Sequence, residues 1–194
     1  QSIDLQAADG QHFPAWVATP EGTPRGAIVV LQEIFGVNPH IRAVTERFAA
    51  RGYLAVAPAL FTRVQPLVEL GYSAEDMQAG MALKAAVEQL PGAGVLPDIQ
   101  AAIDYAQERS GTKVVAVGFC WGGLLAWRAA CTLQGLAGVA CYYGGGMTSA
   151  EEAARQPRCP VLAHFGRPDQ WIPLDSVQAF ALAPPAVCPL YTSS

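Results

Sequence analysis

The chain has 194 residues, a formal charge of -4, 52% hydrophobic residues and 14% charged ones. That length suits one domain over residues 1–194, and that balance suits a compact fold whose sheet is covered on both faces, which excludes a fibrous or disordered chain. The mild negative charge supplies no basic stripe for nucleic acid, and every apolar run is far shorter than the roughly 20 residues of a membrane span, so neither partner is expected.

Residues 1–13 are polar and broken by Asp9-Gly10, so they do not read as a signal peptide, and a cytoplasmic location is the default expectation. The five cysteines, Cys120, Cys131, Cys141, Cys159 and Cys188, are odd in number and lack C-x-x-C or His-paired spacing. This argues against a disulfide framework or a zinc site, and no metal or organic cofactor is implied. Outside the motif described below, the cysteines read as buried core thiols.

In chain order, residues 2–6 and 13–19 flank the Asp9-Gly10 turn and read as an antiparallel hairpin. The short continuous apolar run at 27–31 reads as a strand buried on both faces, and 38–50 shows helical periodicity behind Asn38-Pro39. Residues 53–57 repeat the strand pattern. A helix over 73–90 opens on Ser73-x-x-Asp76, which has the form of a capping box, and a second runs from about 95 to 109. Residues 113–117 form another buried strand that leads through a glycine-rich turn into a helix over 124–132. Two more strands are expected at 136–143 and 160–165, with a helical turn or two between them. A helix at 174–182 and a strand at 187–191 complete the series. Strands alternating with helices give a mostly parallel sheet with right-handed crossovers and a ligand site at the carboxyl ends of the strands.

Gly118-x-Cys120-x-Gly122 has the spacing of a nucleophile elbow, with cysteine where serine usually stands. A strand that turns abruptly into a helix strains its central residue and crowds its neighbours, so the flanking positions must lack side chains. The turn also puts the thiol at a helix N-terminus, where N–H groups and the helix dipole favour a thiolate and the oxyanion of an acyl intermediate. The backbone N–H of Trp121 is the first oxyanion donor in this reading. Glycine-rich strand-to-helix turns also bind phosphate. This string, however, is not G-x-G-x-x-G and lacks the Lys-Ser/Thr of a phosphate loop, so a nucleotide-binding domain is disfavoured.

Gln32-Glu33-Ile34-Phe35-Gly36 with Asn38, then Gly118-Phe119-Cys120-Trp121-Gly122-Gly123, then His164-Phe165-Gly166-x-x-Asp169 with Ile172-Pro173 together resemble the dienelactone hydrolase family. Tyr142-Tyr143-Gly144-Gly145 adds to the likeness, which covers most of residues 25–175. The resemblance implies an α/β-hydrolase fold and hydrolysis of small carboxylic esters or lactones. In that reading Cys120 is the nucleophile and Asp169 orients a histidine base. Ile34 N–H is the second oxyanion donor, and Glu33 contacts the resting thiol and controls its ionisation. From the residues alone, Asp169 also reads as a turn aspartate and Glu33 as a solvent-facing loop residue.

Two departures accompany the resemblance. No triad histidine follows Asp169 in this sequence: His12, His40 and His164 all precede it, the first two reading as surface or capping residues and the third as structural. The family's histidine loop follows a last strand like Val187-Cys188-Pro189-Leu190-Tyr191. Either the sequence is part of a longer chain or the base has been lost. Secondly, the family's substrate-carboxylate arginine is unmatched after the second buried strand, where Arg63 and Lys84 are the cations in question. Small esters or lactones are therefore expected ahead of a dienelactone. The rival expectation is a non-catalytic relative that binds a small molecule in the same pocket.

Overall fold

The computed structural model describes residues 1–166, 172, 174–182 and 187–192. The chain opens as a hairpin, β1 (Ser2–Gln6) and β2 (His12–Ala18), with Ser2 opposite Trp16 and Gln6 opposite His12. Gly10 closes its turn at φ +89°, a conformation that costs an L side chain strain and glycine none. Along β2 every second residue, Phe13, Ala15 and Val17, points into the core, the period of two that a half-buried strand requires.

From there strands and helices alternate: β3 (Gly26–Leu31), α1 (Pro39–Ala49), β4 (Tyr53–Pro58), α2 (Ala74–Glu88), α3 (Leu96–Ser110), β5 (Val114–Phe119) and α4 (Trp121–Thr132). They are followed by β6 (Leu136–Tyr142), α5 (Ala150–Ala153), β7 (Val161–Gly166), α6 (Leu174–Leu182) and β8 (Val187–Thr192). The eight strands form one sheet in the order β1-β2-β4-β3-β5-β6-β7-β8. Among the described strands, only the β1–β2 and β2–β4 pairings are antiparallel. The expected α/β-hydrolase architecture, a mostly parallel sheet with helices on both faces, is present.

The continuous apolar runs of β3 and β4 face helices on both sides, which is why neither strand alternates. On one face Val29, Leu31, Leu54 and Val56 pack with Ile99 and Ile103 of α3 and Leu125 and Trp127 of α4. On the other, Ile28, Val30 and Ala57 pack with Ile41 and Val44 of α1. Each such Val, Leu or Ile side chain, when fully buried, contributes about 1.5–3 kcal/mol.

Local signals set the helix starts. Asn38 Oδ1 accepts the Ile41 N–H at 3.1 Å, with Pro39 in the first helical turn. Ser73 and Asp76 close the expected capping box at the head of α2. Helix α4 begins at Trp121, three residues before the sequence signal at Leu124. Gly122 and Gly123 read as turn residues but are the first turn of the helix, where close backbone approach excludes a side chain. Among the described residues, no helix is long and apolar enough to cross a membrane.

The cysteines divide differently from expectation. Cys141 and Cys159 are buried, whereas Cys131 is half-buried and Cys188 is exposed on the outermost strand β8. The core reading of Cys188 is therefore corrected: an edge strand in this sheet has a neighbour on one side only.

Candidate active site

The strands β3 and β5 lie side by side and parallel, with Leu31 level with Gly118. Two residues further along each, Glu33 and Cys120 leave the sheet at its carboxyl edge. Cys120 stands between β5 and α4 at φ 54° and ψ -118°, outside the regions open to L residues, a conformation that costs about 1–3 kcal/mol. Its surroundings hold it there. The Cys120 N–H donates to the Tyr142 carbonyl at 2.8 Å, and the Cys120 carbonyl accepts from Gly123 N–H at 2.9 Å.

The flanking glycines are required by backbone contacts. A Cβ on Gly118 would meet the Gly122 carbonyl, and one on Gly122 would meet the carbonyls of Leu31 and Gln32. A Cβ on Gly123 would lie 2.9 Å from the Tyr142 oxygen. The elbow is thus wedged between β3 and β6 with no room for side chains, and Cys120 itself is exposed. Because Gly123 and Leu124 N–H turn back to the Cys120 carbonyl, the first-turn N–H of Trp121 has no acceptor within its own helix.

The facing wall is the loop at 32–36. Gln32 is fully buried: its Oε1 accepts the Leu60 N–H at 3.0 Å and its Nε2 donates to the Glu33 carbonyl at 3.2 Å. Ile34 is buried beside it. Glu33, half-buried, receives the Tyr72 hydroxyl on Oε2 at 2.8 Å. Helix α2 closes on this loop through Gly80, where a Cβ would meet the Ile34 carbonyl. Gly36, at φ +79°, bridges to Glu69 and crowds the Val68 carbonyl.

Behind the elbow, Trp121 is buried and stacks on Phe61 with centroids 5.2 Å apart. Its indole N–H donates to Glu88 Oε1 at 3.0 Å, and Arg128 donates to both oxygens of Glu88 and to Glu152. Burial pushes the Glu88 carboxyl up, but the Trp121 and Arg128 hydrogen bonds and the charges of Arg128 and Lys84 outweigh it and leave it lowered. Arg155 lies 2.8 Å from Glu152 but is poorly aligned to hydrogen-bond it.

The remaining sequence candidates are placed as follows. Asp169 lies outside the described residues. His12 pairs with Asp4 across the hairpin at 2.6 Å. The His164 ring stacks flat on Tyr142 at 4.3 Å, and His40 is exposed at the start of α1. Arg63 is committed to the buried Asp98 at 2.6 Å and to Asp9 at 2.7 Å, so it braces the hairpin against α3 and is not presented to a substrate. Among the described residues, no cluster of three or more His, Cys, Asp or Glu is arranged to hold a metal ion. Burial pushes the Cys131 thiol up to about 11 and also raises Cys141 and Cys159.

Sequence reading missed four contributors: Gln32 as a buried brace, Tyr72, Gly80 and Glu88. Gly80 carried a signal, since a glycine inside a helix costs about 1 kcal/mol relative to alanine and asks for a packing reason. Tyr72 and Glu88 carried none, because their partners lie 39 and 33 residues away in the chain.

Comparison with known proteins agrees with this geometry. A Pseudomonas putida carboxymethylenebutenolidase is 35% identical over 182 residues, covering 92% of this chain and 75% of that protein. A Synechocystis sp. relative is 39% identical over 158 residues, 76% of this chain. The chain spans 63% of that relative's length. A Klebsiella pneumoniae subsp. pneumoniae crystal structure superposes with a TM-score of 0.78 at 28% identity, covering 100% of this chain and 86% of that one. A Pyrococcus furiosus esterase at 14% identity shares the fold with a TM-score of 0.73, over 100% of this chain and 82% of its own. The profile of the Dienelactone hydrolase family matches residues 13–183, a span that holds the elbow and its facing loop, and the chain belongs to that family.

Proposed function

We propose that this chain hydrolyses small carboxylic esters or lactones through the Cys120 thiolate. The observation that carries the reading is the backbone of Cys120: a non-glycine residue at φ 54°, exposed, at the head of α4. That strain presents the sulfur to solvent at a helix N-terminus, where positive partial charge favours its anion. The thiolate attacks the carbonyl carbon, and the carbonyl oxygen, now an oxyanion, accepts the N–H groups of Trp121 and Ile34. Collapse of this adduct breaks the bond to the alkoxide, which leaves with a proton and gives a thioester on Cys120. Water then attacks the thioester and loses its proton to a base; the acid is released and the thiolate re-formed.

Glu33, two residues beyond the end of the β3 pairing as Cys120 is beyond that of the neighbouring β5, is the group that controls the resting thiol, because a carboxylate nearby disfavours thiolate. Asp169 is assigned to orient a histidine base. The substrate is a small ester or lactone, and Arg63, withdrawn into its pairs with Asp98 and Asp9, does not serve to hold a substrate carboxylate.

The test uses p-nitrophenyl acetate at concentrations comparable to the protein. Release of p-nitrophenol with one acetyl group on Cys120, seen by peptide mass, is expected, and Cys120→Ala should abolish both. Brief iodoacetamide treatment should label Cys120 ahead of Cys131, Cys141 and Cys159, whose thiols burial holds protonated. Acetylation at another cysteine would overturn the assignment. No adduct anywhere, with the fold intact, would favour the non-catalytic, small-molecule-binding reading.

A further inference from the structure

The segment between β4 and α2 lies over the loop at 32–36, and Tyr72 reaches back from it to the site. Its hydroxyl donates to Glu33 Oε2 at 2.8 Å. The Asn38 side-chain amide points at the same hydroxyl from 3.4 Å and also donates to the Leu70 carbonyl at 3.1 Å. The Tyr72 ring packs on Phe35 with centroids 4.6 Å apart. Asn38 in turn caps α1 and is buried. The tyrosine is therefore seated by Glu33, Phe35 and Asn38, the last of them also the cap of α1, although more than half of it is exposed.

We propose that Tyr72 is a positioning residue that latches the Glu33 carboxylate on the α1 and α2 side of the loop and so limits how closely its charge approaches the Cys120 thiol. This rests on the reading of Glu33 given above and adds the element that holds it. A carboxylate carrying one strong donor has a preferred rotamer, whereas one without it is free to sample the elbow beside it. Burial first, and the charge of Glu33 after it, raise the Tyr72 phenol against the lowering effect of Asn38. The hydroxyl thus keeps the proton it donates through the pH range in which a thiol ionises.

Among the described residues, the other titratable groups around the latch include His40 on α1, Glu69 paired with Arg42, and Asp76 held by Ser73. On the elbow's other flank stand Tyr143, after β6, and His164 on β7. None of them is altered in the test, so their titration is common to all variants compared.

The experiment is a cycle of four chains: the parent, Tyr72→Phe, Glu33→Gln and the double variant. Each is alkylated with iodoacetamide across pH 6–10 (roughly the window that brackets a thiol), with the rate at Cys120 read by peptide mass. Tyr72→Phe keeps the ring on Phe35 and removes the hydroxyl alone. It should leave the melting temperature unchanged and move the Cys120 midpoint upward by about one pH unit, as a carboxylate gains access to the thiol. In the Glu33→Gln background the same change should do nothing. An unmoved midpoint in Tyr72→Phe, a shift that persists without the Glu33 charge, or a downward shift would each overturn the latch. These results would leave the nucleophile reading standing as long as Cys120 alkylates and carries the acetyl group; a Cys120 that does neither sinks both.

Discussion

The two walls of the site are held by different means. The elbow is fixed by backbone against backbone: Gly118, Gly122 and Gly123 lie so near main-chain oxygens of the elbow itself, of β3 and of β6 that none of them has room for a Cβ, and the three glycines have no rotamer to change. The facing loop also meets main chain, at Gly36 and Gly80, but the groups in it that act on the thiol are set by side chains, Gln32 from beneath and Tyr72 and Asn38 from outside. Contact between main chains leaves little room to adjust. Side-chain hydrogen bonds are worth about 0.5–1.5 kcal/mol each and can be exchanged. The difference suggests a division of labour, with the nucleophile's position built in and the groups that act on it adjustable.

The most severe way to break the contrast is Gly122→Ala. Its methyl group would meet the carbonyls of Leu31 and Gln32, the latter at 2.5 Å, and neither β3 nor α4 can retreat without unpacking the core. We expect a loss of about 3 kcal/mol or more of stability. In whatever fraction still folds, p-nitrophenyl acetate cleavage should fall about 10²-fold, as misplacement of a reacting group by 1 Å costs. Urea unfolding and initial rates measure the two. A variant as stable and active as the parent would show that the elbow has slack.

Gln32→Leu should do less, and in a different proportion. It keeps the volume but leaves the Leu60 N–H, buried beneath the loop, without its acceptor, which costs about 1–3 kcal/mol. The Glu33 carbonyl loses its donor and the Ile34 N–H its fixed aim. The rate should fall by less than the roughly 10²–10³ that deletion of a whole oxyanion donor costs. Acylation of Cys120 should slow while iodoacetamide labelling, which needs no oxyanion hole, holds its rate. Equal loss in both assays would mean that Gln32 supports the elbow and not the loop.

The same contrast explains what the sequence discloses. The elbow was legible because its constraints are local: a strand, three glycines and a cysteine within six residues have one plausible geometry. So were the capping box at Ser73 and the Asn38-Pro39 helix start, whose partners lie three residues away. The mostly parallel sheet and the covering of both its faces followed from continuous apolar strands alternating with helices, whereas the order of the strands within it did not. What stayed hidden depends on residues brought together across the fold. Nothing in the chain near Tyr72 or Glu88 announces the partner each finds, and Arg63 looked available until Asp98 and Asp9 were seen to claim it. Gln32 was noticed as part of a motif, but its role is to join the ends of β3 and β4, a neighbour relation set by the crossover.

A gentler probe asks whether the elbow wall also relies on a side chain, through the Trp121 indole and Glu88. The Glu88 carboxyl is lowered on folding because the Trp121 and Arg128 hydrogen bonds overcome its burial. A group whose folded value lies below its unfolded value contributes stability that is present above the unfolded value, near 4.5. That contribution is lost as pH falls through the folded value. Glu88→Gln removes this linkage while keeping an oxygen for the indole N–H, so the variant should be slightly less stable than the parent at pH 7. The gap should close as the pH is lowered from about 4.5. Urea midpoints at pH 7, 5, 4 and 3 read it directly, and ester cleavage at pH 7 should change little, since the glycine contacts still set Cys120. A gap that stays constant down to pH 3 would mean that Glu88 titrates alike in folded and unfolded chains. A large loss of activity at pH 7 would mean that the backbone alone does not hold the elbow, and that its two walls are less different than their contacts imply.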